Sequence, residues 1–295
     1  RIPVIGRARA ALVALAVGWA GISAGCSPGQ ADSRRFRIMS AGDEIALGNR
    51  MAPEFETLLS GKVANEEVQR YVQNVGQKVA AVSGRRLPYE FYVVRSEQNN
   101  VHALPGVRIY ITSGMLGHLE NERQLAALLA NQVAHTGTAP TLENLNRRLQ
   151  GRLPASLFQM EHSDIDERGW RIAAFVSRQL LKMEYSRKDE QIADRLAVRY
   201  LARAGYSPVG MTELLEGFYR TYRRDPREIF PYLQTHPLTL KRMKLAKVTV
   251  EIDHHYCSGQ TPDPRAAAFS RIRQQVTGEV AADEPSSSSD DLAVR

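Results

Sequence analysis

The chain has 295 residues, of which 43% are hydrophobic, so it is long enough to bury a substantial core. Its formal net charge is +7, but the basic residues form no stripe interleaved with aromatic ones, which argues against nucleic acid as a partner. The modest positive charge is compatible with contact to anionic lipid.

Residues 1–25 have the pattern of a bacterial secretory signal. A basic start is followed by an apolar run over 10–24, which is short for a membrane-spanning helix. Ser23-Ala24-Gly25-Cys26 resembles a lipobox, in which the cysteine is acylated after cleavage. The alternative is ordinary cleavage nearby, which leaves Cys26 as a free thiol. We expect a lipoprotein that is anchored through Cys26 on the periplasmic side of the outer membrane.

Both ends of the chain are predicted to lie outside the globular part. Residues 26–39 form a short polar tether, and residues 279–295, with four consecutive serines flanked by acidic residues, are expected to be disordered. A single domain over 40–278 lies between them.

Periodicity within this domain predicts an α+β fold that is mainly helical. Strands are expected over 89–94 and 107–112, with the turn 104–106 between them. Asn65 is a candidate N-cap for the second helix. The residues 138–157 show no clear pattern. Apolar residues at helical spacing predict helices over 40–59, 64–82, 121–135, 170–184, 188–204, 209–222, 238–247 and 265–276.

The stretch most informative about function is Asn131-Gln132-Val133-Ala134-His135. It has the spacing of the H-E-x-x-H motif, in which two histidines one helical turn apart bind zinc and the glutamate activates water. Only the second histidine is present, as His135. Asn131 and Gln132 occupy the positions of the first histidine and of the glutamate.

The domain resembles the HtpX/BepA-like zinc metallopeptidases of clan MA, family 48, over residues 42–248. The resemblance implies a zincin-like metallopeptidase fold with a small β-sheet and an active-site helix, and it makes residues 109–112 an edge strand. The motifs that carry it lie, in order, at 100–106, 109–114, 121–126, 185–195, 204–208 and 235–237 with Arg242.

The resemblance also assigns the metal site. By position, the family's three zinc ligands fall on Asn131, His135 and Glu190, and its general base falls on Gln132. Asp194 lies four residues after Glu190 on the same helix face, where it would support a ligand from behind. Its partner here would be the Asn131 amide, which can still donate a hydrogen bond.

The resemblance implies a substrate cleft along Asn100, Ile109, Tyr110 and Ile111. An exposed edge strand there could capture an extended peptide. His236 belongs to the 235–237 motif, and two roles remain for it. It either approaches the metal as a replacement ligand or packs at a helix start before Pro237. For two further histidines near the site in sequence we favour a packing role, namely His102 and His118.

The two substitutions have direct chemical consequences. An asparagine amide is a poor zinc ligand beside an imidazole, so zinc binding should be weakened or absent. Gln132 cannot accept a proton from water, so the general-base contribution, typically about 10²–10⁴-fold, should be lost.

Three hypotheses about function follow. In the first, an inactive homologue binds unfolded or assembling envelope proteins and acts in protein quality control. In the second, the chain is an active zinc metalloendopeptidase with a remodelled metal site, so enzymatic activity stays open. In the third, it is a scaffold lipoprotein without a working cleft. Metal content and chelator-sensitive casein cleavage separate the first two.

Overall fold

The structure, a computed structural model, describes residues 41–138, 167–182, 184–254 and 265–282. The predicted signal with Cys26, the tether and nearly all of the segment 138–157 lie outside the described residues, as do residues 283–295 of the predicted tail. No helix in the described ranges is long and apolar enough to cross a membrane.

The described residues form a mainly helical α+β domain with a small sheet, as the sequence predicts. Each of the eight predicted helices is present, although their ends shift by several residues. In chain order the helices are α1 (Ala41–Leu58), α2 (Glu66–Ala80), α3 (Ser113–His118), α4 (Glu122–Thr138), α5 (Glu167–Leu181), α6 (Arg187–Arg203), α7 (Val209–Arg224), α8 (Pro226–Thr235), α9 (Leu240–His254) and α10 (Ala266–Ala282). The strands are β1 (Glu90–Val94), β2 (Val101–Ala103) and β3 (Arg108–Thr112).

The sheet has the strand order β1-β3-β2. β3 pairs in parallel with β1 and antiparallel with β2, so it is the central strand. The prediction that residues 109–112 form an edge strand is therefore wrong. β2 takes the edge position, and the sequence could not reveal it because three residues are too few to show an alternating pattern.

The turn between β2 and β3 is fixed against α1. Gly106 adopts a φ of 87°, and a Cβ atom there would lie 2.8 Å from the Cα of Ile45. Only glycine fits this conformation and this approach without strain. Gly106 therefore lets the turn after β2 lie directly against the start of α1.

α4 is the central helix of the core. It packs against α2, α6 and α7, and its side chains from Leu125 to Ala134 are all buried. Alanines at 126, 127, 130 and 134 let the neighbouring helices approach closely. As a result, the polar side chains near the end of α4 are enclosed by protein.

Two helices were not predicted. α3 has only six residues, and α8 contains Pro231, which reads as a helix breaker. The N-terminus of α8 is nevertheless well capped. The Asp225 side chain accepts a hydrogen bond from the Arg227 N–H, and Pro226 occupies the first turn. α10 continues to Ala282, four residues into the predicted tail, and Gly278 within it does not end the helix.

Candidate active site

Two buried helices, α4 and α6, supply most of the site. α4 places Asn131 and Gln132 next to each other and His135 about one turn later, and all three are buried. α6 contributes Glu190 and Asp194, which lie four residues apart on one face and are also buried. Ser186 and Asp189 form a capping box that fixes the start of α6 just before Glu190.

Asn131 is held by hydrogen bonds at both ends of its amide. Its Nδ2 donates to Asp194 Oδ1 at 2.9 Å, the pairing expected from the sequence. Its Oδ1 accepts from Gln132 Nε2 at 3.1 Å. The amide therefore has neither end directed at a ligand. It does not replace the imidazole nitrogen that the resemblance predicts at this position.

Gln132 also contacts His236, which lies just beyond the end of α8. Gln132 Nε2 lies 3.1 Å from His236 Nε2, and His236 Nδ1 lies 2.8 Å from Thr235 Oγ1. Thr235 Oγ1 already donates its proton to the Tyr232 carbonyl, so it must accept a hydrogen bond from the His236 Nδ1–H. The Nε2 atom of His236 then carries a lone pair, which accepts a hydrogen bond from Gln132 Nε2. This neutral tautomer fits the pKa of His236, which burial lowers to about 3.

Arg242, on α9, supplies the positive charge of the site. Its guanidinium is buried and lies 2.7 Å from Glu190 Oε2 and 2.5 Å from Asp194 Oδ2. Burial by itself would raise the pKa of Glu190, but the Arg242 charge and the neighbouring imidazoles outweigh it and lower that pKa to about 2. Glu190 is thus an ionised carboxylate with a fixed counter-charge.

Aromatic rings hold the two histidines. The Tyr185 ring stacks on His135 with centroids 3.7 Å apart, and the Tyr232 ring stacks on His236 at 4.5 Å with an interplanar angle of 4°. The Tyr185 N–H also donates to the Thr235 carbonyl at 2.7 Å. These contacts tie the start of α6 to the end of α8 on one side of the site.

Three residues of the site fit a zinc ion in type and number. One ligand atom each from His135, Glu190 and His236 lies within 4.8 Å of the others, and two imidazoles with a carboxylate are a donor set that catalytic zinc sites use. A zinc ion would compete with Gln132 for His236, however, because His236 Nε2 already accepts a hydrogen bond from Gln132 Nε2. A metal at this point requires that contact to break.

A cleft of about 610 Å³ runs beside the site. β2 and its flanking residues, including Asn100 and His102, line one wall, and the opposite wall comes from the ends of α5 and α8. Asn100 spans the cleft, since its Nδ2 donates to the Pro231 carbonyl at 3.3 Å and its Oδ1 accepts from the Val101 N–H at 2.9 Å. Asn100 was predicted to belong to a cleft.

The other predicted cleft residues do not line this space. Ile109, Tyr110 and Ile111 lie on the central strand, where they are buried and their backbones are paired on both sides. His118 lies away from the site and packs on Phe218. His102 stacks edge-on against Phe55 and has a pKa that burial lowers to about 4.

Sequence reasoning missed three functional positions. Arg242 was noted only as part of a motif, yet its burial between two carboxylates organises the site. Tyr185 was noted only as the first residue of the motif at 185–195, and Tyr232 was not singled out. Tyr185 directly precedes the capping box of α6, and Tyr232 lies four residues before His236. From these positions the Tyr185 ring stacks on His135 and the Tyr232 ring stacks on His236.

Comparison with known proteins agrees with this geometry. The sequence model of peptidase family M48 matches residues 66–250. A putative beta-barrel assembly-enhancing protease of Vibrio cholerae is 26% identical over 204 residues, which cover 66% of this chain and 40% of that protein. The beta-barrel assembly-enhancing protease of Escherichia coli K12 is 24% identical over 220 residues, or 71% of this chain and 44% of that protein.

A mitochondrial relative has similar coverage. The metalloendopeptidase OMA1 of Schizosaccharomyces pombe is 26% identical over 203 residues, which cover 67% of this chain and 54% of that protein. The chain thus spans about half the length of these relatives. The region that the family model matches contains β1 to β3, both site helices and most of α9. The predicted zincin-like fold is confirmed, and the chain belongs to peptidase family M48, a family of zinc metallopeptidases.

Proposed function

We propose that this chain is a catalytically inactive member of its family that binds extended segments of unfolded or assembling envelope proteins and does not cleave them. The observation that carries the proposal is the Gln132 carboxamide, which stands at the general-base position and contacts His236 Nε2 at 3.1 Å. A carboxamide cannot take a proton from water, so this position offers no general base.

The same contacts support a weakened or absent zinc site. In family members zinc polarises the substrate carbonyl and lowers the pKa of bound water. Here Asn131 offers no imidazole nitrogen, and Gln132 competes for His236. The charge of Glu190 is already balanced by Arg242. The Asn131 amide, His236 Nε2 and the Glu190 carboxylate thus each already have a protein partner.

The edge of β2 that faces away from β3 pairs with no strand among the described residues, and we take it as the binding edge. All three residues of β2 are buried and α5 contacts the strand, so a client segment requires α5 to move aside. The Leu104 N–H donates to Arg108 and the Thr112 N–H donates to Asn100, so the backbone groups of Val101 and Ala103 between them point away from β3. Within the described residues, the N–H and C=O of Ala103 have no hydrogen-bond partner. An extended client segment can satisfy them by adding a strand beside β2.

We place the chain in the bacterial cell envelope, on the periplasmic side of the outer membrane. The lipobox-like sequence that ends at Cys26 supports a lipid anchor, and acyl chains give stable attachment without a spanning helix. Relatives that are named beta-barrel assembly-enhancing proteases support β-barrel proteins in assembly as the clients.

One observation favours a second candidate, an active zinc metalloendopeptidase with a remodelled site. His135, Glu190 and His236 are grouped closely enough to share an ion without help from Asn131. In that case Gln132 would have to release His236, and another group would have to activate water.

Metal analysis and proteolysis distinguish the two candidates. We expect the purified protein to hold well under one zinc per chain and to leave casein intact with or without chelator. The double variant Asn131→His/Gln132→Glu should bind about one zinc and cleave casein, because it restores the third imidazole and the base. One tightly held zinc and chelator-sensitive cleavage by the unmodified chain would overturn the inactive assignment.

Client binding is tested separately. A fluorescent, unfolded β-barrel protein should bind the unmodified chain, and its anisotropy should rise on titration. Absence of binding to any unfolded client would leave only a scaffold role.

A further inference from the structure

The surface from the end of α7 to α9 concentrates the exposed apolar side chains of the molecule. Among the described residues, eight large apolar side chains are exposed, and five of them lie between Tyr222 and Ile252. They are Tyr222, Phe230, Leu240, Val248 and Ile252, which we call the apolar face. Such clustering marks an interaction surface, whereas isolated exposed apolar residues need no explanation.

α9 carries part of this face on its exposed side. Leu240, Val248 and Ile252 follow each other at spacings of eight and four residues, so at 3.6 residues per turn they span about 120° of the helix circumference. Leu240 is 71% exposed and Ile252 is 65% exposed. At 1.5 Å per residue the three residues extend over roughly 18 Å of the helix.

Lysines alternate with these apolar residues. Lys241, Lys244 and Lys247 are exposed on the same side of α9, and none of them forms an ion pair within the described part of the chain. Glu251 is the one acidic residue among them. The apolar face therefore carries a net positive charge.

A shallow groove continues the face beyond α9. It has a volume of about 320 Å³ and is lined by Tyr222, Phe230, Leu240 and Met243, among other apolar residues. Phe230 is 52% exposed at its edge. Aromatic and aliphatic side chains that project beside lysines are the composition of helices that lie in the interface of a membrane.

We propose that the apolar face and its lysines dock on a bilayer that contains anionic phospholipid. Charge complementarity decides for this occupant, since lysine is depleted in protein–protein interfaces but is attracted to anionic headgroups. The long lysine stems can lie along the acyl boundary while the ammonium groups reach phosphate. This inference depends neither on loss of catalysis nor on acylation of Cys26.

Site-directed fluorescence tests the proposal. In a full-length chain with Cys26→Ser and Cys257→Ser, a single cysteine is introduced by Leu240→Cys or Ile252→Cys and labelled with an environment-sensitive dye. The matched control carries the label at Ile192→Cys on α6. Vesicles of phosphatidylcholine with 30% phosphatidylglycerol should shift the emission of the first two labels to the blue, and phosphatidylcholine alone should not.

Charge reversal gives a second readout. Lys241→Glu/Lys244→Glu/Lys247→Glu should weaken partition to the anionic vesicles by on the order of a hundredfold or more. Lys188→Glu/Arg195→Glu/Arg199→Glu on α6 makes the same change of net charge and should have little effect. Labels at 240 and 252 that stay silent on anionic vesicles would overturn the proposal and leave the face to a protein partner. An equal loss in both triple variants would also overturn it, because attraction would then be unspecific.

Discussion

Gln132 Nε2 lies 3.1 Å from His236 Nε2, so an amide on α4 is joined directly to the imidazole at the end of α8. The other nitrogen of that imidazole donates to Thr235, which fixes its tautomer. Gln132, at the predicted general-base position, thus shares a hydrogen bond with His236 beside a buried group of residues that could hold a metal.

Removing this bond should loosen α8. In Gln132→Ala, the His236 Nε2 lone pair loses its donor, and a net hydrogen bond contributes about 1 kcal/mol to stability. Hydrogen exchange in α8 should accelerate on the order of fivefold while exchange in α2 stays unchanged. Gln234→Ala, at an exposed position of the same helix, is the control. Unchanged exchange in α8 would show that Gln132 does not hold it.

Arg242 should be the most costly side chain of the site to remove. Arg242→Met leaves Glu190 and Asp194 buried without their counter-charge, and breaking such a pair costs about 3–5 kcal/mol. Urea unfolding measures the loss. Arg224→Met, which removes an exposed ion pair with Glu228, should cost no more than about 0.5 kcal/mol. Adding Glu190→Gln to Arg242→Met should recover part of the loss.

Peptide capture should depend on the Ala103 N–H. Ala103→Pro removes this donor, while the bonds from β2 to β3 run through residues 100, 102 and 104 and remain. Affinity for an unfolded client should fall about tenfold by anisotropy. Ala103→Ser keeps the N–H and should bind normally. Equal binding by both variants would mean that clients do not add a strand at β2.

Stability should fall as the pH drops below about 6.5. Burial lowers the pKa of His102 to about 4 from an ordinary value of 6.5, so between these values the unfolded chain binds a proton that the folded chain does not. The stabilisation is complete above pH 6.5 and is lost towards pH 4. His102→Phe and His102→Gln should both reduce the loss of unfolding free energy between pH 6.5 and pH 4, by up to about 3 kcal/mol. Urea unfolding at several pH values measures this difference. A slope unchanged in both variants would assign the effect to other groups.

The candidate site could be predicted in large part because its residues are carried by local motifs. The spacing from Asn131 to His135 and from Glu190 to Asp194 sets each pair on one helix face, whatever the rest of the chain does. The pairing of Asn131 with Asp194 followed from that spacing and the resemblance. Arg242 was not assigned a role, since a buried guanidinium is understood only once both carboxylates are seen around it.

The amino-acid sequence by itself determined the helices, the order of the motifs and the residues Asn131 and Gln132 at the positions that the resemblance assigns to a histidine and a glutamate, because these depend on side-chain identity and helical period. Only the tertiary structure decided which strand forms the edge and where His236 lies. Strand order depends on contacts between distant segments, and β2 is too short to signal its place. Gln132 and His236 are 104 residues apart in the chain. The packing of α8 against α7, and of α9 against α6 and α7, brings them together.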